Sequence, residues 1–156
     1  MIVRAATPAD VPAILQLIIA LATYEREPDA VRATEQSLHE TLFGADAKVY
    51  AFVADIDGGV AGIAIWFLNY STWTGRPGIY LEDLFVADAA RGTGAGRALL
   101  RALAQEAVTR NYSRIDWAVL DWNTPAMDFY RAVGARPQSG WQPWRLDGQA
   151  LVEMAR

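Results

Sequence analysis

A mixed α/β fold built on one mostly antiparallel sheet is what this sequence predicts, and three observations predict it. Strand-like runs dominate the first half of the chain. A strand, a glycine-rich loop, a helix and a second strand then follow one another as a βαβ unit. Turn signals, above all Asp57-Gly58-Gly59, join the antiparallel runs. At 156 residues the chain is expected to form one domain over 1–156, without repeat or linker. A chain of that length buries about two-thirds of the surface its unfolded form exposes.

The elements follow in order. After a short apolar start at Ile2 and Val3, Thr7 or Asp10 is placed to cap a helix in which Val11, Ile14, Leu15, Ile18, Leu21 and Ala22 recur at helical spacing. A polar segment, Glu25 to Arg32, leads to a second helix over Thr34 to Phe43, capped by Thr34 and stopped by Gly44. Two strands around Asp57-Gly58-Gly59 come next, then a loop over Ser71 to Gly78. In the strand Ile79 to Val86, simple alternation sets Tyr80, Glu82 and Leu84 on one face and Leu81, Asp83 and Phe85 on the other. Beyond the glycines, Leu100, Leu103, Ala104, Ala107 and Val108 form the apolar face of a helix, with Arg97, Arg101 and Gln105 opposite. Arg114 to Leu120 reads as a strand. Thr124 caps a short helix with Pro125 at its first position and Gly134 just past its end. Trp141 to Ala155 reads as a closing hairpin around Asp147-Gly148. The expected order is βααβββαβαββ.

Composition narrows the chemistry. No apolar stretch reaches the roughly 18 residues a membrane span requires, and Val11 to Ala22 is interrupted by Pro12 and Gln16. The same stretch lacks the basic flank and cleavage site of a secretory signal, so a cytoplasmic location is expected. Zero cysteines exclude disulfides, thiol nucleophiles and zinc-thiolate sites. One histidine, His39, leaves no material for a histidine metal site or a Ser-His-Asp triad, so no metal is expected. A formal charge of −4 counts against nucleic-acid binding and suits a cationic ligand.

The segment Arg91-Gly92-Thr93-Gly94-Ala95-Gly96-Arg97 carries the strongest local signal. A dinucleotide fingerprint would need its third glycine where Arg97 stands, although Asp116 lies near the distance of a ribose-binding acid. A phosphate-binding P-loop would need Lys-Ser or Lys-Thr where the chain has Arg97-Ala98. Backbone N–H groups bared by Gly92, Gly94 and Gly96 fit a phosphate at a helix N-terminus, with Arg91 and Arg97 adding positive charge. A glycine-rich turn that binds nothing is the plain alternative.

This loop, followed by a helix, a strand and "WNTPAMDFYRAVGAR", resembles the GCN5-related N-acetyltransferase (GNAT) family. "LATYE", "YSTWTG" and "YLEDLFV" are similar to its diamine (spermidine/spermine) and thialysine acetyltransferase branch, which commonly has Asp-Pro where this chain has Ser71-Thr72. The resemblance implies a GNAT fold, a single mixed and mostly antiparallel sheet with a central parallel pair. It implies acetyl-CoA as cosubstrate, held by Leu84, Phe85 and Val86, by the loop Arg91, Gly92, Thr93, Gly94, Ala95, Gly96 and Arg97, and by Asn123 and Ala126. It further implies transfer to a primary amine of a small cationic metabolite, in a homodimer. A lysine-like amine of pKa about 10.4 is neutral about one part in a thousand near pH 7.4, so a base is needed. Glu82 is the expected base, Asp83 a source of charge attraction, and Tyr130 the expected proton donor to sulfur. Tyr24, Glu25, Trp73, Glu82 and Asp83 are the expected acceptor contacts. Trp117 reads as a pocket wall or core, His39 as solvated or capping, and Trp141 and Trp144 as hairpin packing or a dimer contact. Acetylation of a protein lysine or N-terminus, and a non-catalytic CoA-binding module, are the rival functions.

Overall fold

Asp10 organises the start of the chain. In the computed structural model, which describes all 156 residues, its carboxylate accepts from the Thr7 N–H and hydroxyl at 2.7 and 2.9 Å. It also takes both arms of the Arg4 guanidinium, at 2.7 and 2.9 Å. A 3-10 turn, Pro8–Asp10, therefore precedes helix α1 (Val11–Tyr24), with Thr7 in the extended conformation ahead of it. Arg4 lies on strand β1 (Ile2–Ala5), so the same ion pair fastens helix to sheet. Helix α2 (Glu35–Phe43) begins at Thr34, whose hydroxyl accepts from the Ser37 N–H.

Strands β2 (Val49–Ile56) and β3 (Gly59–Ser71) are joined by Asp57 and Gly58, both at positive φ, as the hairpin signal demands. Strand β4 (Arg76–Val86) pairs with β3 along its length. The loop expected over 71–78 shrinks to Thr72–Gly75, because β3 runs through Ser71 and β4 begins at Arg76. Helix α3 (Ala95–Thr109) leads to β5, which is only Ile115–Asp116 rather than the strand expected to Leu120. The sheet order is β1-β2-β3-β4-β5, antiparallel throughout except for the parallel pair β4 and β5.

One face of the sheet is sealed by Ile14, Leu17 and Leu42 from α1 and α2, packed on Ala51, Val53, Ile63, Ile65 and Phe85. Helix α3 buries Ala95, Leu99, Leu100, Leu103 and Ala107. Complete burial of Leu99 and Leu103 is worth about 1.5–3 kcal/mol each. The apolar face of α3 is thus rotated from the expected one: Ala104 and Val108 point to solvent.

The chain divides into two compact units, Met1–Leu120 and Asp121–Arg156. The first holds the sheet. The second holds helix α4 (Thr124–Ala132) and helix α5 (Gly148–Met154). Asn123, not Thr124, caps α4, its side-chain oxygen accepting from the Ala126 N–H at 3.3 Å. At the other end Gly134 has φ +91, and its N–H and that of Ala135 bond the carbonyls of Arg131 and Tyr130, a Schellman closure. The closing hairpin does not form. Asp147 stands at an N-cap position and the following residues coil into α5, so the final two strands of the expected order are replaced by one helix.

Candidate active site

The site in the first unit is built on an irregularity of β4. Ile65 pairs with Asp83 and the next residue, Trp66, with Leu81, which leaves Glu82 as the extra residue of a β-bulge. The bulge breaks the expected alternation. Asp83 lies opposite Ile65, a member of the core cluster under α1, whereas Leu81 lies opposite Trp66 on the other face. Asp83 and Phe85 therefore share the α1 face without Leu81, and Glu82 is turned out to solvent. A bulge adds no distinctive residue type, so alternation along 79–86 carried no sign of it.

Asp83 is half-buried, and its pKa is raised to about 6 by burial first, then by the negative charges of Glu82 and Glu25. Glu25 follows the last residue of α1, and partial burial raises its pKa as well. The C-terminal end of a helix carries partial negative charge, so α1 adds to a potential that favours a cation here. Tyr24 packs against the core cluster that includes Phe85. Trp73 is not beside them: it is 88% exposed at the tip of the β3–β4 hairpin. Six residues of strand, a span of roughly 20 Å at the usual rise, separate Arg76 near that tip from Asp83.

Beyond Asp83 the second edge of β4 is open. Its only β5 pairings are Ile79 with Ile115 and Tyr80 with Asp116, so Leu84, Phe85 and Val86 present an edge without a strand partner. The chain then passes through the glycine loop. Gly92 and Gly94 have φ of +79 and +87, and a Cβ added to either would meet nothing within 4 Å. Gly94 is the N-cap of α3 and no side chain bonds the helix start, so the first-turn N–H groups of Ala95, Gly96 and Arg97 lie beyond the reach of intrahelical bonding. Open space above left-handed glycines at an uncapped helix start fits a pyrophosphate. Arg91 beside it pairs with Asp88 at 2.8 Å, and its guanidinium lies over the ring of Tyr24. Thr93 turns its hydroxyl back to the Ala90 carbonyl.

In the second unit, Asn123 is buried at the start of α4, Ala126 receives its cap, and Tyr130 sits half-buried one turn on, its ring 5.3 Å from that of Phe129. Trp117 is half-buried after β5. His39 is exposed, its ring edge-on to Phe43. Trp144 is 91% exposed, so it packs in no hairpin. No helix is long and apolar enough to cross a membrane.

Fold and motifs define the class, an acyltransferase, and the comparisons agree. Residues 12–135 match the Acetyltransferase (GNAT) family. Thialysine N-epsilon-acetyltransferase of Bos taurus is 37% identical, across 98% of this chain and 96% of its own length. L-ornithine N5-acetyltransferase of Arabidopsis thaliana is 31% identical, across 96% of this chain and 85% of its own. Among solved structures, an integron cassette protein from the mobile metagenome of V. cholerae matches with a TM-score of 0.83 at 28% identity, covering 99% of this chain and 97% of that one. The chain belongs to the GNAT family of acetyltransferases, near its thialysine and polyamine branch.

Proposed function

We propose that this acetyltransferase moves the acetyl group of acetyl-CoA directly to a primary amine of a small cationic metabolite that bears a second positive charge, a diamine, polyamine or lysine-like amino acid such as thialysine. The observation that carries the reading is the gathering of Glu25, Glu82 and Asp83 near the end of β4, whose chain runs on to an uncapped, glycine-lined helix start. A cation and a polyanion are thereby invited to the two ends of one segment, Asp83 to Arg97. The thialysine and ornithine relatives take amines of this kind.

Acetyl-CoA supplies an activated thioester and, once transfer is complete, a thiolate in need of a proton. Gly92, Gly94 and Gly96, with Thr93, Ala95, Arg91 and Arg97 around them, are suited to its pyrophosphate, and Asn123 and Ala126 to its pantetheine arm. Backbone N–H groups of the Leu84–Val86 edge are suited to the acyl oxygen. Asp83, its pKa lifted to about 6, is better matched than exposed Glu82 to take the ammonium proton, with Glu82 and Glu25 holding the second positive charge. Tyr130 holds at its hydroxyl the proton destined for sulfur. We place this work in one domain over 1–156, in a cytoplasmic homodimer. The exposed Trp141, Trp144, Leu146 and Leu151 of the second unit support self-association.

The test compares kcat/KM for matched neutral and dicationic primary amines with acetyl-CoA as donor. At an effective dielectric near 20 a charge pair at 4 Å is worth about 4 kcal/mol before desolvation and screening. The dicationic amine is expected to win by about tenfold or more at low salt, with the advantage shrinking as salt rises. Equal efficiencies, or a preference indifferent to salt, would remove the charge-based reading of the acceptor.

A further inference from the structure

Arg91 is held from two directions by groups of different kinds. Its guanidinium carbon lies 5.0 Å from the centroid of the Tyr24 ring and 5.9 Å from that of Phe85. One of its terminal nitrogens lies 2.8 Å from the Asp88 carboxylate. A guanidinium is flat: aromatic rings engage its faces and leave the donors around its rim available, whereas a carboxylate takes the rim itself. The rings belong to α1 and β4, both part of the core. Asp88 is on the surface, its side chain 83% exposed against 47% for that of Arg91, and an ion pair so open to water is weakly held. The aromatic contacts thus set where Arg91 sits, and the carboxylate occupies the donors that a stronger anion would use.

We propose that Tyr24 is a positioning residue for the cosubstrate. With Phe85 its ring holds the Arg91 guanidinium beside the glycine loop, and Asp88 is an exchangeable anion that the pyrophosphate of acetyl-CoA displaces from Arg91. The inference rests on the acetyl-CoA reading of that loop and adds a role for the end of α1 on the cosubstrate side. The ring face that Arg91 covers is closed to the amine, so the attraction for the acceptor falls to Glu25, the next residue, and to Glu82 and Asp83. Tyr24 and Glu25 are consecutive, and the end of α1 becomes the place where the two binding events meet. By linkage, cosubstrate bound on Arg91 and cation bound beside Glu25 alter each other's affinity by the same factor.

The experiment is titration calorimetry of the full chain with coenzyme A. Tyr24→Leu removes the ring face and is expected to weaken binding about three- to tenfold, the range of a partly desolvated cation–π contact, while Tyr24→Phe keeps the face and most of the affinity. In an Arg91→Ala background Tyr24→Leu should change the affinity by less than about twofold, because the partner it positions is gone. Asp88→Asn, a surface change with little bearing on folding, should tighten binding about two- to fivefold at low salt, with the gain fading at high salt. Tyr24→Leu binding coenzyme A as the unaltered protein does, or losing as much in the Arg91→Ala background as outside it, overturns the positioning role. Weaker binding by Asp88→Asn overturns the exchange, and it does so even where Tyr24→Leu proves unstable. Failure of the unaltered protein to bind coenzyme A at all would instead overturn the cosubstrate reading, and this inference with it.

Discussion

Asp10 and Asp83 are aspartates of the same unit, both drawn away from water, and the protein handles them in opposite ways. Asp10, 7% exposed, is met by the two arms of Arg4 and by the Thr7 N–H and hydroxyl. The Arg4 guanidinium, more than any other partner, holds its pKa well below the usual carboxylate range. Asp83 is half-buried with Glu82 and Glu25 for electrostatic company, and burial carries its pKa up to about 6. A carboxylate that serves the fold is surrounded by donors; one left among its own kind costs stability and is ready to receive a cation or a proton. That difference in charge environment is what supports placing the working end of the unit at Asp83 rather than at Asp10.

The contrast breaks most visibly at Asp83. Asp83→Asn is expected to lower turnover about 100-fold or more, the usual worth of a general base. The same change should raise stability at pH 7, by about 1–2 kcal/mol once solvent screening is allowed for. The sign follows from the direction of the shift. An acid whose folded pKa exceeds its unfolded value binds protons more tightly when folded, so its charge opposes folding above about pH 6, and stability returns as pH falls toward 3.8. Turnover measured beside urea unfolding checks both halves. A variant that is inactive and also less stable would mean that Asp83 holds the fold, as Asp10 does.

Asp10→Ala should do the reverse. Loss of the carboxylate strips Arg4 of its bidentate partner and Thr7 of an acceptor, at a cost of about 2–3 kcal/mol. Because Asp10 is depressed in the folded state, the stability it contributes is present above the unfolded pKa near 3.8 and is lost as pH falls through its lower folded value. Thermal unfolding at pH 7 and pH 3 should therefore show a large gap between the variant and the unaltered protein at the higher pH and a smaller one at the lower. Activity assayed well below the melting temperature should be unchanged. A gap that does not narrow in acid would mean that packing rather than charge makes Asp10 important.

What could be read from the sequence follows the same division between local rules and neighbours. Asp57-Gly58 and Gly134 need positive φ, and only a short list of residues supplies it cheaply, so turn and helix end were legible. Gly92 and Gly94 were legible for the same reason, since both take positive φ. The bulge at Glu82 was not, because it exists only in the pairing of β4 with β3. With it went the difference between Glu82, turned outward, and Asp83, turned under α1. Asp147-Gly148 misled because the pair suits a hairpin turn and a helix start alike, and a short apolar run such as Ala150 to Val152 fits either period. Asp88 carries no sign in the sequence, because an exposed aspartate three residues before an arginine is ordinary and only the closed pair gives it a partner.

The smallest expected effect separates the two neighbouring carboxylates. Negative charge at Glu82 and Glu25 helps to raise the Asp83 pKa, with Glu82 the larger contributor of the two. Neutralising either should ease ionisation of Asp83 and move the acid limb of the kcat profile from near pH 6 to lower pH, by about half a unit or less. Glu82→Gln should move it further than Glu25→Gln, since its charge is the larger of the two contributions. At pH 8, where Asp83 is ionised in every variant, both should retain turnover, and their loss should appear in KM for the dicationic amine. If Glu82→Gln instead abolishes turnover at pH 8 with the limb gone, then Glu82 takes the proton itself, the bulge having turned it toward the amine, and Asp83 reverts to an electrostatic role. The two outcomes differ in kcat at a single pH, so the base can be assigned without a complete titration.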